Sequence, residues 1–211
     1  MLIAFCGLDG AGKSTQIKRI NTWLKGQGRS VLVTKQPTDW YRNDPVVRTY
    51  LDTGEGRGDT TKEAELALFA ASDRMRNIRL EIEPALARGD IVLCDRYVYS
   101  SYVYFECRVD AAFRRWVENL NSFVPIPDLA FFLDVTPETA LARVISRDGA
   151  ASKYEETRLD LLIAARQLFL SQPWKDGRLE VLDGTVEPEV LSLKIQGRIA
   201  EYEFATQENH E

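Results

Sequence analysis

Histidine is nearly missing from this chain: among 211 residues there is one, His210, close to the C-terminal end. A mechanism built on a histidine general base is thereby excluded. Cysteine is scarce too. Cys6, Cys94 and Cys107 are odd in number and have no CxxC spacing, and the first two lie inside apolar runs, so they read as reduced, structural thiols. No uncharged apolar stretch approaches membrane-spanning length and no secretory leader precedes the first strand, which predicts a soluble, cytoplasmic protein with no membrane partner. Positive charge is in deficit, with 27 Lys and Arg against 32 Asp and Glu and a net charge of −5. A nonspecific duplex nucleic-acid binder needs a basic surface to displace counterions, so no nucleic-acid partner is expected and small anions are. Repeats and low-complexity segments are also absent, and the length suits one domain over residues 1–211.

What is present is an alternation of short apolar runs with longer helical ones. Leu2 to Cys6, Ser30 to Thr34, Ile91 to Cys94, Leu129 to Leu133 and Leu179 to Leu182 read as five strands. Their near-continuous apolar character fits a parallel sheet covered on both faces, an α/β architecture of three layers. Helices are predicted over Lys13 to Gly26, Pro45 to Asp52, Thr61 to Arg88 with a kink at Pro84, Thr136 to Arg147 and Tyr154 to Leu170, with Pro188 opening the last. Thr53 to Gly58 reads as a flexible connection and the segment after Tyr202 as a frayed polar tail. Ligands of such a sheet bind at the carboxyl ends of its strands.

The first strand runs straight into Gly7-Leu8-Asp9-Gly10-Ala11-Gly12-Lys13-Ser14, a Walker A motif followed by the helical Thr15 to Ile20. Gly7, Gly10 and Gly12 let the backbone N–H groups of the loop, with those of Ala11 and Thr15, turn toward phosphates. Lys13 adds a point charge for the terminal phosphates, and the Ser14 hydroxyl suits magnesium. The loop predicts binding of a nucleoside triphosphate, and the lack of an Asn-Lys-x-Asp guanine signature disfavours GTP. A second constellation, Asp95-Arg96-Tyr97, follows the strand Ile91 to Cys94. It sets a carboxylate for magnesium and a guanidinium for the transferring phosphoryl beside the Walker loop. A strand-end ion pair with a packing tyrosine is the plainer reading of the same three residues.

Together with Leu66 to Arg74, Pro84 to Gly89, Ser100-Ser101, Leu133 to Glu138 and Tyr154-Glu155-Glu156, these motifs resemble the thymidylate kinase family over most of the chain. The resemblance implies a P-loop kinase fold, a homodimer, and transfer of the γ-phosphoryl of ATP, with Mg2+, onto deoxythymidine monophosphate (dTMP). It implies that Asp9 accepts a hydrogen bond from the acceptor sugar, that Arg96 holds phosphate, and that Arg74, Ser100 and Ser101 face the base. Tyr104 matches a ring that crowds the sugar's 2′ carbon, though a core tyrosine reads equally well. Glycine at Gly10 fits the bacterial type, whose extra arginine sits in a lid. The resemblance then implies a lid at Ser146 to Lys153, with Arg147 and Lys153 closing over the phosphates, where a solvated basic loop is the plainer reading. Arg143 resembles the arginine that packs on adenine, opposite Gly184-Thr185.

Departures from the family pattern cluster on the acceptor side. Lys35-Gln36-Pro37-Thr38-Asp39-Trp40-Tyr41-Arg42 lacks the expected phosphate-gripping arginine, leaving Lys35 or Arg42 to replace it beside Pro37, while Asp39 repels an acceptor phosphate unless it points away. Phe69 and Arg74 are five residues apart where the family has four, a rotation of about 100°. If Arg74 keeps its station, Ala70 takes the place of the aromatic platform for the base, and Trp40 or Tyr41 substitutes. Phe105 removes a polar group from the same pocket. Two alternatives to a thymidylate kinase stay open: a related phosphotransferase acting on another nucleotide, a nucleoside or a biosynthetic metabolite, and an ATP-dependent regulatory switch.

Overall fold

The protein was analysed as a computed structural model that describes residues 1–149, 158–171, 174 and 179–208. In chain order the strands are β1 (Leu2–Cys6), β2 (Val31–Lys35), β3 (Ile91–Asp95), β4 (Leu129–Asp134) and β5 (Leu179–Asp183). The described helices are α1 (Lys13–Gly26), α2 (Asp39–Arg42), α3 (Pro45–Thr53), α4 (Thr60–Asn77), α5 (Glu83–Ala87), α6 (Val98–Arg108), α7 (Ala111–Leu120), α8 (Pro137–Asp148), α9 (Leu159–Ser171) and α10 (Pro188–Glu208). The five strands form one all-parallel sheet in the order β2-β3-β1-β4-β5. Every residue of β1 is buried, as a strand flanked on both sides and covered on both faces must be.

Strand order reverses at β1, whose neighbours β3 and β4 follow it on opposite sides, and a crevice opens at that point. Register decides what meets there: Phe5 pairs with Asp95 on one side and Cys6 with Phe132 on the other. The loop after β1 and the carboxylate ending β3 are therefore adjacent, although 80-odd residues of chain separate them.

The third predicted helix is a compound of three pieces. A π-helical turn, Ile78–Ile82, joins α4 to α5, and Pro84 falls in the first turn of α5. Proline cannot donate to the carbonyl four residues back and its ring crowds that carbonyl, so a local widening of the helix just before it relieves both faults. α6 and α7 were not legible as helices. The Val, Tyr, Ser and Phe of α6 are mediocre helix formers, and packing decides its state. Asp110 caps α7 by accepting the Phe113 N–H at 2.7 Å. α10 continues through Glu208, past the predicted fraying point at Tyr202. The predicted flexible connection is partly ordered: Thr53 ends α3, and Gly54 closes it in the left-handed conformation, φ 74°.

Among the described residues two hydrophobic clusters result. The larger surrounds the sheet and includes Phe132 stacked on Phe169 with ring centroids 4.4 Å apart. A smaller one gathers Tyr41, Val47, Tyr50, Leu66, Ala70, Phe105 and Phe113 from α2, α3, α4, α6 and α7. It lies away from the sheet and forms the wall of a second chamber.

Candidate active site

The phosphate loop is shaped by glycine where side chains have no room. Gly10 has φ 87°, and a Cβ there would stand 2.2 Å from the Ala140 carbonyl oxygen of α8. Gly7, at φ 152°, lies against Ala11 and the Leu133 carbonyl, and Gly12 turns the chain into α1 at φ 97°. Because α1 starts at Lys13, the N–H groups of Lys13, Ser14 and Thr15 have no acceptor within the helix and face the cleft at its positive end.

Lys13 is buried, and its Nζ donates to the carbonyls of Gly7 (3.2 Å) and Leu8 (2.9 Å), with Asp9 Oδ1 3.6 Å away. Burial, reinforced by the charge of Arg96, pushes its ammonium below the ordinary 10.5, against the pull of Asp9 and Asp95. Arg96 occupies a left-handed conformation, φ 65°, rare for a side chain of its size and a mark of a constrained functional position. Its Nη2 donates to Asp9 Oδ1 at 2.7 Å. Burial disfavours its charge, but Asp9, Tyr104 and Asp95 outweigh that and raise its pKa well above the ordinary value. Across the loop, Ser14 Oγ lies 3.4 Å from Asp95 Oδ2.

Asp95 Oδ1 and Arg96 Nη1 are buried here without a hydrogen-bond partner. A buried carboxylate oxygen without a donor suits a cation, and a buried guanidinium nitrogen without an acceptor suits an anion. The thiol of Cys6 beneath them is pushed up to about 12, chiefly by burial, which makes it inert. Tyr97 is a packing tyrosine, as the plainer reading of its motif has it; its hydroxyl donates to the Pro125 carbonyl at 2.9 Å.

The crevice divides into two chambers. The wider, about 610 Å³, is lined by the loop from Asp9 to Gln16 and by Lys35, Arg42, Asp95, Arg96, Arg143, Arg147 and Gly184-Thr185. Arg143 donates to the carbonyls of Gly184 (3.2 Å) and Gly10 (3.4 Å), so α8, the phosphate loop and the turn after β5 are tied together at this chamber. Arg147 reaches this chamber while its guanidinium grips Asp148 at 2.6 and 2.7 Å. Of the predicted lid, α8 ends at Asp148 and Gly149 caps it with φ 79°; Lys153 lies outside the described residues, as does Tyr154-Glu155-Glu156.

The narrower chamber, about 100 Å³, is lined by Asp9, Pro37, Tyr41, Arg42, Leu51, Ala70, Arg96, Ser100, Ser101, Tyr104, Phe105 and Arg108. Asp9, Arg42 and Arg96 belong to both chambers and form the gate between them. Of the two candidates for the missing phosphate-gripping arginine, Arg42 stands at this gate, with its Nε on the Pro37 carbonyl at 3.0 Å. Lys35 lines only the wider chamber of the two and is held by Asp39 at 2.6 Å. That pairing, with Lys35 the main cause, holds the Asp39 carboxyl below its usual range.

The register question on α4 has a geometric answer. Phe69 lies outside the narrow chamber, against Trp40 and Tyr41 at centroid distances of 4.7 and 5.2 Å, and Ala70 faces the chamber in its place. Arg74 is 2 % exposed and does not line the chamber; its nitrogens donate to Gln36 (3.1 Å), Ser101 (2.6 Å) and Asn121. Tyr41, not Trp40, is the aromatic residue of that segment on the chamber wall. Leu51 and Arg108 escaped the motif reading. Arg108 follows Ser100 and Tyr104 at intervals of four, a signal that would have exposed it had α6 been read as a helix.

Fold and site together define a P-loop phosphotransferase whose phosphate-loop cleft shares Asp9, Arg42 and Arg96 with a second chamber. The sequence model of thymidylate kinase matches residues 5–195. A protein named probable thymidylate kinase from Pyrococcus abyssi is 35 % identical over 182 residues, covering 86 % of this chain and 87 % of its own. Its counterpart from Thermococcus onnurineus is 40 % identical over 184 residues, 85 % and 88 %. The thymidylate kinase of Xanthomonas oryzae pv. oryzae is 38 % identical over 170 residues, 80 % and 70 %. The chain belongs to the thymidylate kinase family.

Proposed function

We propose that this protein transfers the γ-phosphoryl group of MgATP to dTMP, giving dTDP. The observation that carries the reading is the shared gate: Asp9, Arg42 and Arg96 line both chambers, so a terminal phosphate in the wide one and an acceptor phosphate in the narrow one would meet at two guanidinium groups. Lys13 and the loop N–H groups hold the β- and γ-phosphates, and Arg143 packs on adenine opposite Gly184-Thr185. Arg96 neutralises charge on the moving phosphoryl, and Arg147, released from Asp148, closes over it. Arg42 grips the acceptor phosphate. Asp9 accepts from the acceptor sugar hydroxyl, Pro37, Ser100 and Ser101 border the acceptor, and Tyr104 crowds its 2′ carbon. Phosphoryl transfer to a phosphate anion requires alignment and charge neutralisation and no strong base, which suits a site without histidine.

Ser14 and Asp95 are the residues that would hold Mg2+, and the donorless Asp95 Oδ1 fits such an ion. Held by these residues, the ion would supply positive charge that offsets the charge of the phosphates. Among the described residues there is no group of three or more His, Cys, Asp or Glu side chains that could hold a metal ion. The reading extends to a single domain with a lid at 146–153, a homodimer, as the family resemblance implies, and a cytoplasmic location. Among the described residues no helix is long and apolar enough to cross a membrane.

The direct test is ADP formation from MgATP with thymidylate, deoxyuridylate, the other monophosphates and free nucleosides, with Lys13→Ala as blank. Thymidylate-dependent turnover is expected; turnover with some other acceptor alone would replace the substrate, and nucleotide-triggered partner binding without any transfer would replace the enzyme by a switch.

A further inference from the structure

We propose that Gln16 selects the purine of the phosphoryl donor, its side-chain oxygen accepting a hydrogen bond from the 6-amino group of adenine; the assignment rests on the phosphotransferase reading above. The wide chamber extends from the gate at Asp9, Arg42 and Arg96, past the phosphate loop, to Gln16, Thr185, Val186, Glu187, Pro188 and Leu191. None of these last residues lines the narrow chamber, so they mark the end of the cleft remote from the transferred phosphate. A nucleotide with its terminal phosphate at the gate, and its other phosphates along the N–H groups that open α1, brings its base to that end.

That end is built from apolar groups around one buried amide. Val186, Pro188 and Leu191 offer hydrocarbon to the face of a ring, while Thr185 and Glu187 are exposed. Gln16 is 2 % exposed. Its Nε2 donates to the Pro188 carbonyl at 2.9 Å, which fixes the orientation of the amide, since the opposite rotamer would set two carbonyl oxygens against each other. Oε1 is buried and accepts no hydrogen bond. A buried acceptor without a donor costs stability, and an apolar side chain of the same length would fill the space without that cost. Nor does the joint between the two helices depend on this amide alone, because Arg19 of α1 pairs with Glu189 of α10 beside it. The oxygen is therefore placed for a donor that arrives with the ligand.

An amide oxygen accepts and cannot donate. It suits adenine, which carries an amino group at position 6, and it opposes guanine, whose carbonyl at that position sets acceptor against acceptor. Hydrocarbon walls alone take either ring; a buried polar group left unpaired by the wrong one discriminates.

The test changes protein and ligand together. Dissociation constants are measured by titration calorimetry for the magnesium salts of ATP, GTP and purine riboside triphosphate, which is ATP without its amino group. Wild type and Gln16→Met are compared, with the thermal midpoint of each. No acceptor is present, so the result is independent of what the narrow chamber takes. The wild type is expected to bind ATP about 3- to 10-fold more tightly than the purine analogue, the range of one neutral hydrogen bond. In Gln16→Met, ATP should weaken to the level of the analogue, while the analogue and GTP hold within about twofold. Equal wild-type affinities for ATP and the analogue overturn the assignment, and that measurement needs no variant to fold. An ATP preference that survives in Gln16→Met overturns it as well. So does a loss shared by all three triphosphates, which would reduce Gln16 to a support for Pro188; each of these outcomes leaves the phosphotransferase reading intact. Wild-type protein that binds no triphosphate overturns both.

Discussion

The wide chamber is built around the phosphate loop at the carboxyl end of β1, whereas the narrow chamber draws its walls from four helices: Tyr41 of α2, Leu51 of α3, Ala70 of α4, and Ser100, Tyr104 and Arg108 of α6. The first rests on the large core around the sheet and the second on the small cluster beside it. A site made of N–H groups tolerates no change of loop shape, because the loop is the ligand. A site made of side chains can exchange one aromatic or cationic group for another so long as the volume is kept. This protein holds both kinds of site: a glycine-shaped phosphate loop, and a helical wall in which Ala70 lines the chamber together with Tyr41 and Arg108.

The contrast is broken most severely at the gate. Arg96→Ala removes a cation common to both chambers, and kcat is expected to fall by about 10²–10³. Steady-state kinetics varying both substrates checks this; an effect confined to one substrate's KM would show that the chambers are independent there. Next comes loop shape. Gly10→Ala must combine a left-handed backbone, costing about 1–3 kcal/mol, with a Cβ pressed into the Ala140 carbonyl, costing about 1–3 kcal/mol more. Gly12→Ala, with nothing within 4 Å of the new Cβ, bears the first cost alone. Urea unfolding of the pair separates backbone strain from collision, and equal destabilisation would refute the collision.

A smaller effect sharpens the acceptor side. Tyr41→Leu keeps an apolar filler but removes the ring, so KM for the acceptor should rise about 3- to 10-fold, the worth of an aromatic contact, with ATP KM unchanged. Trp40→Leu, outside the chamber, should leave both constants alone; the reverse ranking would make Trp40 the platform. The least effect concerns charge in the loop. The folded pKa of Lys13 is lowered, so between that value and the ordinary 10.5 the folded state binds fewer protons at this site than the unfolded state does. Stability at this site therefore rises with pH through that window. Wild-type stability relative to Lys13→Met should climb on the alkaline side, as pH-dependent melts of the unliganded proteins would show.

Much of the donor half was legible because its determinants are local. A glycine-rich loop between an apolar run and a helix has few other uses, and Asp95-Arg96 could be set beside it once the strands were read as a parallel sheet. The acceptor half resisted for particular reasons. The five-residue spacing of Phe69 and Arg74 said that one of them had left its station. It could not say that Phe69 turned out onto Trp40 and Tyr41 while Arg74 was walled in by Gln36, Ser101 and Asn121. Lys35 and Arg42 were equal candidates in sequence; Asp39 at 2.6 Å engages the first and leaves the second at the gate.

The amino-acid sequence by itself determined the phosphate loop, the five strands and the family, since each depends on residues close together in the chain. Tertiary structure alone decided the acceptor chamber. Its walls come from helices joined across 70 residues of sequence, and which side chain of each faces inward depends on helix rotation, burial and the partner that each charge finds.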